Sequence, residues 1–193
     1  MNNLLLIISG PAGSGKNTVS ERLMAEFPDV KRVITSTSRQ PRGAEKDGVD
    51  YHFLSKEEFE RGIGNGDFYE YAKVHDRYYG TSKNAINDTQ GGDKILIIDV
   101  QGAATWRKIA QENPQIKSRL TTIFVAPDNE QELRKRLLGR NTESQEEIDR
   151  RMQTAIEEFK QADKFDIRIQ SKSKDEDYNA LREIYLNLKS KNS

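Results

Sequence analysis

Five consecutive apolar residues, Leu4-Leu5-Leu6-Ile7-Ile8, run into Gly10-Pro11-Ala12-Gly13-Ser14-Gly15-Lys16-Asn17-Thr18, and helix-forming sequence follows. A continuous apolar run has no solvent side, so as a strand it must lie in a sheet covered on both faces. The spacing Gly, four residues, Gly-Lys then sets a glycine-rich turn between strand and helix, the arrangement of a phosphate-binding loop. Glycines let successive main-chain N–H groups point inward at an anion. The helix N-terminus adds partial positive charge, and the Lys16 ammonium reaches the outer phosphates. The alternative, an ordinary Gly-rich turn, explains neither the spacing nor the lysine. Where a Ser or Thr hydroxyl commonly meets magnesium after the lysine, this chain has Asn17. Its amide oxygen can serve as a neutral ligand or hold the ion through water, and Thr18 stands beside an inner phosphate.

Two more apolar runs, 95–98 and 121–125, repeat the buried-strand pattern, and 33–34 and 165–169 are weaker strand candidates. Helical patterning separates them, at 16–27, 103–112, 129–138, 144–162 and 175–188. Ser144 with Glu147 three residues on reads as a capping box. The alternation predicts an α/β fold of doubly wound type, three layers about a central parallel sheet. The second run ends in Asp99, a carboxylate at a strand's C-terminal end. It suits magnesium held through water, or equally a cap on the helix beginning near Gly102.

Two stretches break the alternation. Residues 35–83, rich in Gly, aromatic and charged residues, predict a small insert with its own sheet; residues 139–151, almost wholly polar, predict a mobile lid. The core is then 1–34, 84–138 and 152–193. Thirty-one basic residues balance thirty-one acidic ones, which argues against nucleic acid or a membrane surface as partner. No cysteine is present, so disulfides, thiolate catalysis and Cys-ligated metals are excluded. The apolar runs are too short for a membrane span or a signal peptide, which leaves a cytoplasmic protein as the expectation. His52 and His75 lack metal-ligand spacing and read as structural or solvent-facing.

Within the insert, Arg39 and Arg42 flank Pro41, and Asp50-Tyr51-His52-Phe53, Phe68-Tyr69-Glu70-Tyr71-Ala72 and Tyr78-Tyr79-Gly80-Thr81 follow. With the phosphate loop, Ile98-Asp99-Val100-Gln101-Gly102 and Arg140-Asn141-Thr142-Glu143, this ordered set resembles the guanylate kinase family over essentially the whole chain. The resemblance implies a kinase that moves the γ-phosphoryl group of ATP to GMP or dGMP, with Mg²⁺. It implies that Arg39, Arg42, Tyr51 and Tyr79 hold the acceptor phosphate, that Thr35, Glu70 and Thr81 read guanine with Asp99 alongside, and that Gly10 to Thr18 hold ATP. The side-chain chemistry agrees: two guanidinium forks suit a dianion, and a carboxylate accepts the paired N1–H and N2–H donors that adenine lacks. Taken singly, these aromatic residues equally suit a small core, and the arginines a solvated surface.

Arg136 and Arg140 lie four apart on one helix face, and Arg151 follows the polar link. The resemblance sets all three over the ATP phosphates in a closed state, alongside Lys16; a plain charged helix face is the alternative. The chain departs from the family pattern at Gly43-Ala44 and His75-Asp76-Arg77, where Asp76 is expected to repel a phosphate slightly and Arg77 to compensate. A monomer or small homo-oligomer is expected. Two other classes share parts of this pattern: a non-catalytic module that binds phosphopeptides through the acceptor-phosphate residues, and a P-loop kinase for a different phosphorylated acceptor.

Overall fold

The computed structural model describes residues 3–87, 92–139 and 144–192. The chain opens with β1 (Leu5–Ser9), α1 (Lys16–Glu26) and β2 (Lys31–Arg32). The insert carries β3 (Ser36–Thr37), β4 (His52–Phe53), α2 (Lys56–Gly64), β5 (Phe68–Val74) and β6 (Arg77–Ser82). Then come α3 (Lys83–Asn87), β7 (Lys94–Ile97), α4 (Val100–Glu112), α5 (Pro114–Lys117) and β8 (Leu120–Ala126). The last elements are α6 (Glu130–Leu138), α7 (Gln145–Phe159), β9 (Ile167–Gln170) and α8 (Lys174–Asn192).

The core sheet has the order β2-β7-β1-β8-β9, and every pairing in it is parallel. All five residues of β1 are buried, as an apolar run with no polar alternation requires. Leu5 and Ile7 face a cluster with Leu96, Trp106 and Phe124, while Leu6 and Ile8 face Val19, Leu23 and Leu181. Helix α4 therefore covers one face, and α1 with α8 the other, giving the expected three layers. Pairing β1 between β7 and β8 puts the chain's change of direction across the sheet at the end of β1, where open α/β sheets form their ligand crevice. Buried Asp93, just before β7, accepts the Leu4 N–H at 2.7 Å and the Tyr185 hydroxyl at 2.8 Å, and pairs with Lys189 at 3.0 Å. It thus ties the start of β1 to α8.

The insert forms a second sheet in the order β4-β3-β6-β5, antiparallel except for β3 with β4. His75 and Asp76, both with positive φ (48° and 60°), make the two-residue turn between β5 and β6. Helix α2 opens with a reciprocal Ser55–Glu58 capping box and buries Phe59, whose ring stacks 4.4 Å from Phe68 and 5.2 Å from Tyr78.

Several expectations shift. The strand expected at 33–34 lies at Lys31–Arg32, though the Val33 N–H still reaches the Ile95 carbonyl at 2.8 Å. Ser144 accepts the Glu147 N–H, but the return bond is lost because the Glu147 carboxylate turns to Arg150 and Arg151. Of the link expected at 139–151, residues from Gln145 onward are helical, and Arg140 to Glu143 lie outside the described residues. Asp76, expected to repel a phosphate slightly, pairs with Lys73 at 3.1 Å. Among the described residues, no helix is long and apolar enough to cross a membrane.

Candidate active site

At the end of β1 the chain passes under β8. Gly10 has φ 138°, and a Cβ there would collide with the Val125 carbonyl. The loop turns back on itself, Ser14 N–H to Pro11 carbonyl at 3.2 Å, and delivers Lys16 as the first residue of α1. Gly15, at φ 98°, precedes the helix and provides no side-chain cap. The first N–H groups of α1 are therefore left to the loop's interior, with the positive end of the helix dipole behind them. The Lys16 ammonium donates to the carbonyls of Gly10 (2.6 Å) and Pro11 (2.8 Å), holding it along the loop. Gly13, Gly15 and Thr18 form one wall of a cleft of about 390 Å³, and Arg136, Lys172 and Asp177 belong to the other. Asn17 is exposed on the first turn of α1.

Arg136 is fixed by the loop between β9 and α8. Its guanidinium donates to the Ser171 hydroxyl at 2.7 Å and to the carbonyls of Ser171 (3.1 Å) and Lys172 (2.8 Å). Asp177 in turn accepts the Ser171 hydroxyl at 2.5 Å and the Lys172 N–H at 2.6 Å. The Arg151 side chain bonds Glu147 at 3.0 Å, which with Arg150 holds that carboxyl down at about 2. Arg140 lies outside the described residues.

On the insert, Thr81 is fully buried and its hydroxyl donates to Glu70 at 2.5 Å across the β5–β6 pair. Burial pushes the Glu70 carboxyl above the usual glutamate range; the Thr81 bond opposes this, and the charge of Asp99 adds to it. Asp99 caps α4 by accepting the Gly102 N–H at 2.7 Å, the cap read in the sequence as its alternative role, yet its residue is exposed rather than buried. Thr35, half-buried, stands one residue before β3.

Arg39 is buried with its guanidinium 4.9 Å from the centre of the Tyr51 ring, and Tyr51 meets Tyr79 edge-on at 6.4 Å. Three of the four residues expected to grip the acceptor phosphate are thus together, and exposed Arg42 lies at their rim. The guanidinium fork of Arg39 meets a carboxylate, Glu45, through two bonds of 2.5 and 2.7 Å. The Arg42 main-chain N–H adds a third at 2.8 Å. These bonds hold Glu45 down at about 2 and raise the already high pKa of Arg39 further. Sequence reasoning passed over Glu45, although an acid six residues after one arginine and three after another is a usable signal.

A second group missed from the sequence is Glu158, near the end of α7. Burial raises its pKa, the Lys16 charge lowers it and Asp99 raises it again, so the phosphate loop, Asp99 and α7 share one electrostatic neighbourhood. His52 and His75 are exposed, as expected. Among the described residues, no three acidic or histidine side chains are assembled for a metal.

Against known proteins, a family model described as guanylate kinase matches residues 2–187. A guanylate kinase of Campylobacter jejuni is 38% identical, covering 96% of this chain and 89% of the relative. One of Clostridioides difficile is 41% identical, over 84% of this chain and 77% of the relative. The crystal structure of guanylate kinase from Anaplasma phagocytophilum superimposes with a TM-score of 0.71 at 27% identity, over 96% of this chain and 86% of that one. Phosphate loop, second sheet and these relatives agree, and the chain belongs to the guanylate kinase family.

Proposed function

We propose that the chain transfers the γ-phosphoryl group of ATP to GMP or dGMP, giving ADP and the corresponding diphosphate, through the residues described above. The observation that carries this reading is the joint presence of a phosphate loop whose helix has no side-chain cap and a half-buried Glu70 bonded to the buried Thr81, with Asp99 acting on Glu70 and, beside Lys16, on Glu158.

The acceptor's phosphate takes the place at Arg39 now held by Glu45, with Arg42, Tyr51 and Tyr79 completing the grip. The Thr81 hydroxyl occupies one site on Glu70. An ionised carboxylate has further lone pairs for guanine N1–H and N2–H, and Thr35 is placed to meet the base edge. Adenine offers no such donor pair and leaves the carboxylate unsatisfied, which is how a buried polar site discriminates strongly. An acceptor phosphate oxygen attacks the γ-phosphorus in line, and the bond from that phosphorus to the β–γ bridging oxygen breaks as ADP leaves. The protein forms no covalent bond; it positions the two phosphates and balances charge, with Lys16, Arg136, Arg140 and Arg151 in that role.

Asn17 and Asp99 offer hard oxygen donors at the starts of α1 and α4 and fit Mg²⁺, Asp99 through the oxygen not engaged with Gly102. When bound, the ion neutralises phosphate charge. Closure of the segment around 139–151 over the cleft would exclude water, which otherwise hydrolyses ATP.

A coupled ADP-release assay with GMP, dGMP, AMP and ribose 5-phosphate tests the reading. GMP and dGMP are expected to be used and the other two not. Use of ribose 5-phosphate in preference to GMP, or phosphopeptide binding without turnover, would replace it with one of the competing classes.

A further inference from the structure

The base-reading carboxylate has a neighbour that the proposed reaction does not use. Trp106, the single tryptophan of the chain, is fully buried on α4, and its ring packs 5.3 Å from that of Tyr69, the residue before Glu70. Its indole Nε1 is buried without a hydrogen-bond partner among the described residues. A buried N–H with no acceptor is costly, and an apolar side chain would fill the same space without that cost. The nearby acceptor is Glu70, where the indole N–H favours the ionised carboxyl although the full hydrogen-bond geometry is not met in this structure. The groups that act on Glu70 are then Thr81 on β6, a donor, Asp99 at the head of α4, a negative charge, and Trp106 on α4.

We propose that the Trp106 indole N–H is a second protein donor to Glu70, a positioning residue that keeps the carboxylate ionised and turned toward guanine. The proposal rests on the reading of Glu70 as the base-reading group. Thr81 approaches from the strand and Trp106 from the helix, so the carboxylate is braced from both sides while lone pairs remain for the base. Asp99 works against ionisation, and the indole offsets it. The sign follows: removing the N–H raises the Glu70 pKa further, so guanine recognition is lost at a higher pH as the medium is acidified.

Trp106→Phe keeps an aromatic ring and deletes the N–H. Its KM for GMP is expected to rise about tenfold, as for loss of a bond to a charged group, with kcat and the KM for ATP within about twofold. The acid limb of kcat/KM for GMP is expected to move to higher pH. In the unsubstituted protein, Trp106 emission should titrate with a midpoint above that of an ordinary glutamate, and Glu70→Gln should abolish that titration. A folded Trp106→Phe variant with an unmoved acid limb overturns the proposal, as does an emission titration that survives Glu70→Gln. If Trp106→Phe does not fold, the emission measurement alone decides. Preference for GMP over AMP in Glu70→Gln tests the base-reading role separately: if it persists, that reading fails whatever the indole does.

Discussion

Arg39 and Glu45 show how a residue proposed to grip phosphate is held by an anion of its own chain. A buried guanidinium without an anion is costly, and Glu45 supplies the anion inside the same chain. Glu45→Gln should therefore bind inorganic phosphate several-fold more tightly, measured by calorimetry, because the competing charge is gone, while its Tm falls by a few degrees. The folded-state value near 2 lies below the ordinary 4.5, so the pair's contribution is full above about pH 4.5 and lost as pH falls toward 2. The Tm–pH curves of parent and variant should converge at that acid end. Glu70 has the opposite sign. Its raised pKa means that ionisation on going to neutral pH works against the fold, so Glu70→Gln should lose GMP turnover yet match or exceed the parent in Tm at pH 7. Arg39, Tyr51, Glu70, Tyr79 and Thr81 were legible because each sits in a short motif. Trp106 was not: its relation to Glu70 spans 36 positions and exists only once α4 packs behind β5.

The elements divide by how their ends are finished. α2 closes its N-terminus with Ser55 and Glu58, whereas α1 begins from Gly15 with no side-chain cap, leaving its leading N–H groups for an anion. Ser55→Ala should cost about 1 kcal/mol and lower Tm by about 2–4 °C, with activity changed little in the same preparation. The long apolar strands and their helices were readable because burial on both faces writes an unbroken apolar run. β2 lies two residues from the apolar pair at 33–34 because two residues carry no period, and α2 is announced only by Ser55-Lys56-Glu57-Glu58, which repeats the signature at Ser144. At Ser144 the same signature gave half a box, because Arg150 and Arg151 compete for Glu147.

Across the whole molecule, on the proposed reading one sheet supports the donor loop and the other the acceptor pocket, and the Asp99 charge acts on both Glu70 and Glu158. Each substrate should therefore stabilise the fold alone, and both together more. A non-hydrolysable ATP analogue at a hundred times its Kd adds about 2.7 kcal/mol by mass action. Lys16→Met should abolish most of the thermal shift from the analogue, keep that from GMP and lower kcat by about a hundredfold or more, with circular dichroism unchanged. The three-layer core and the insert's separate sheet were foreseeable from alternation and composition. The anchoring of Arg136 by Ser171 and Lys172 was not, because it joins α6 to a loop 35 positions later.

The lysine lying along the Gly10 and Pro11 carbonyls has a kinetic consequence. A cation satisfied by main-chain oxygens braces the loop in its curved form. On the proposed reading, arrival of the triphosphate is then a substitution of one oxygen partner for another, and the mould need not be rebuilt after each turnover.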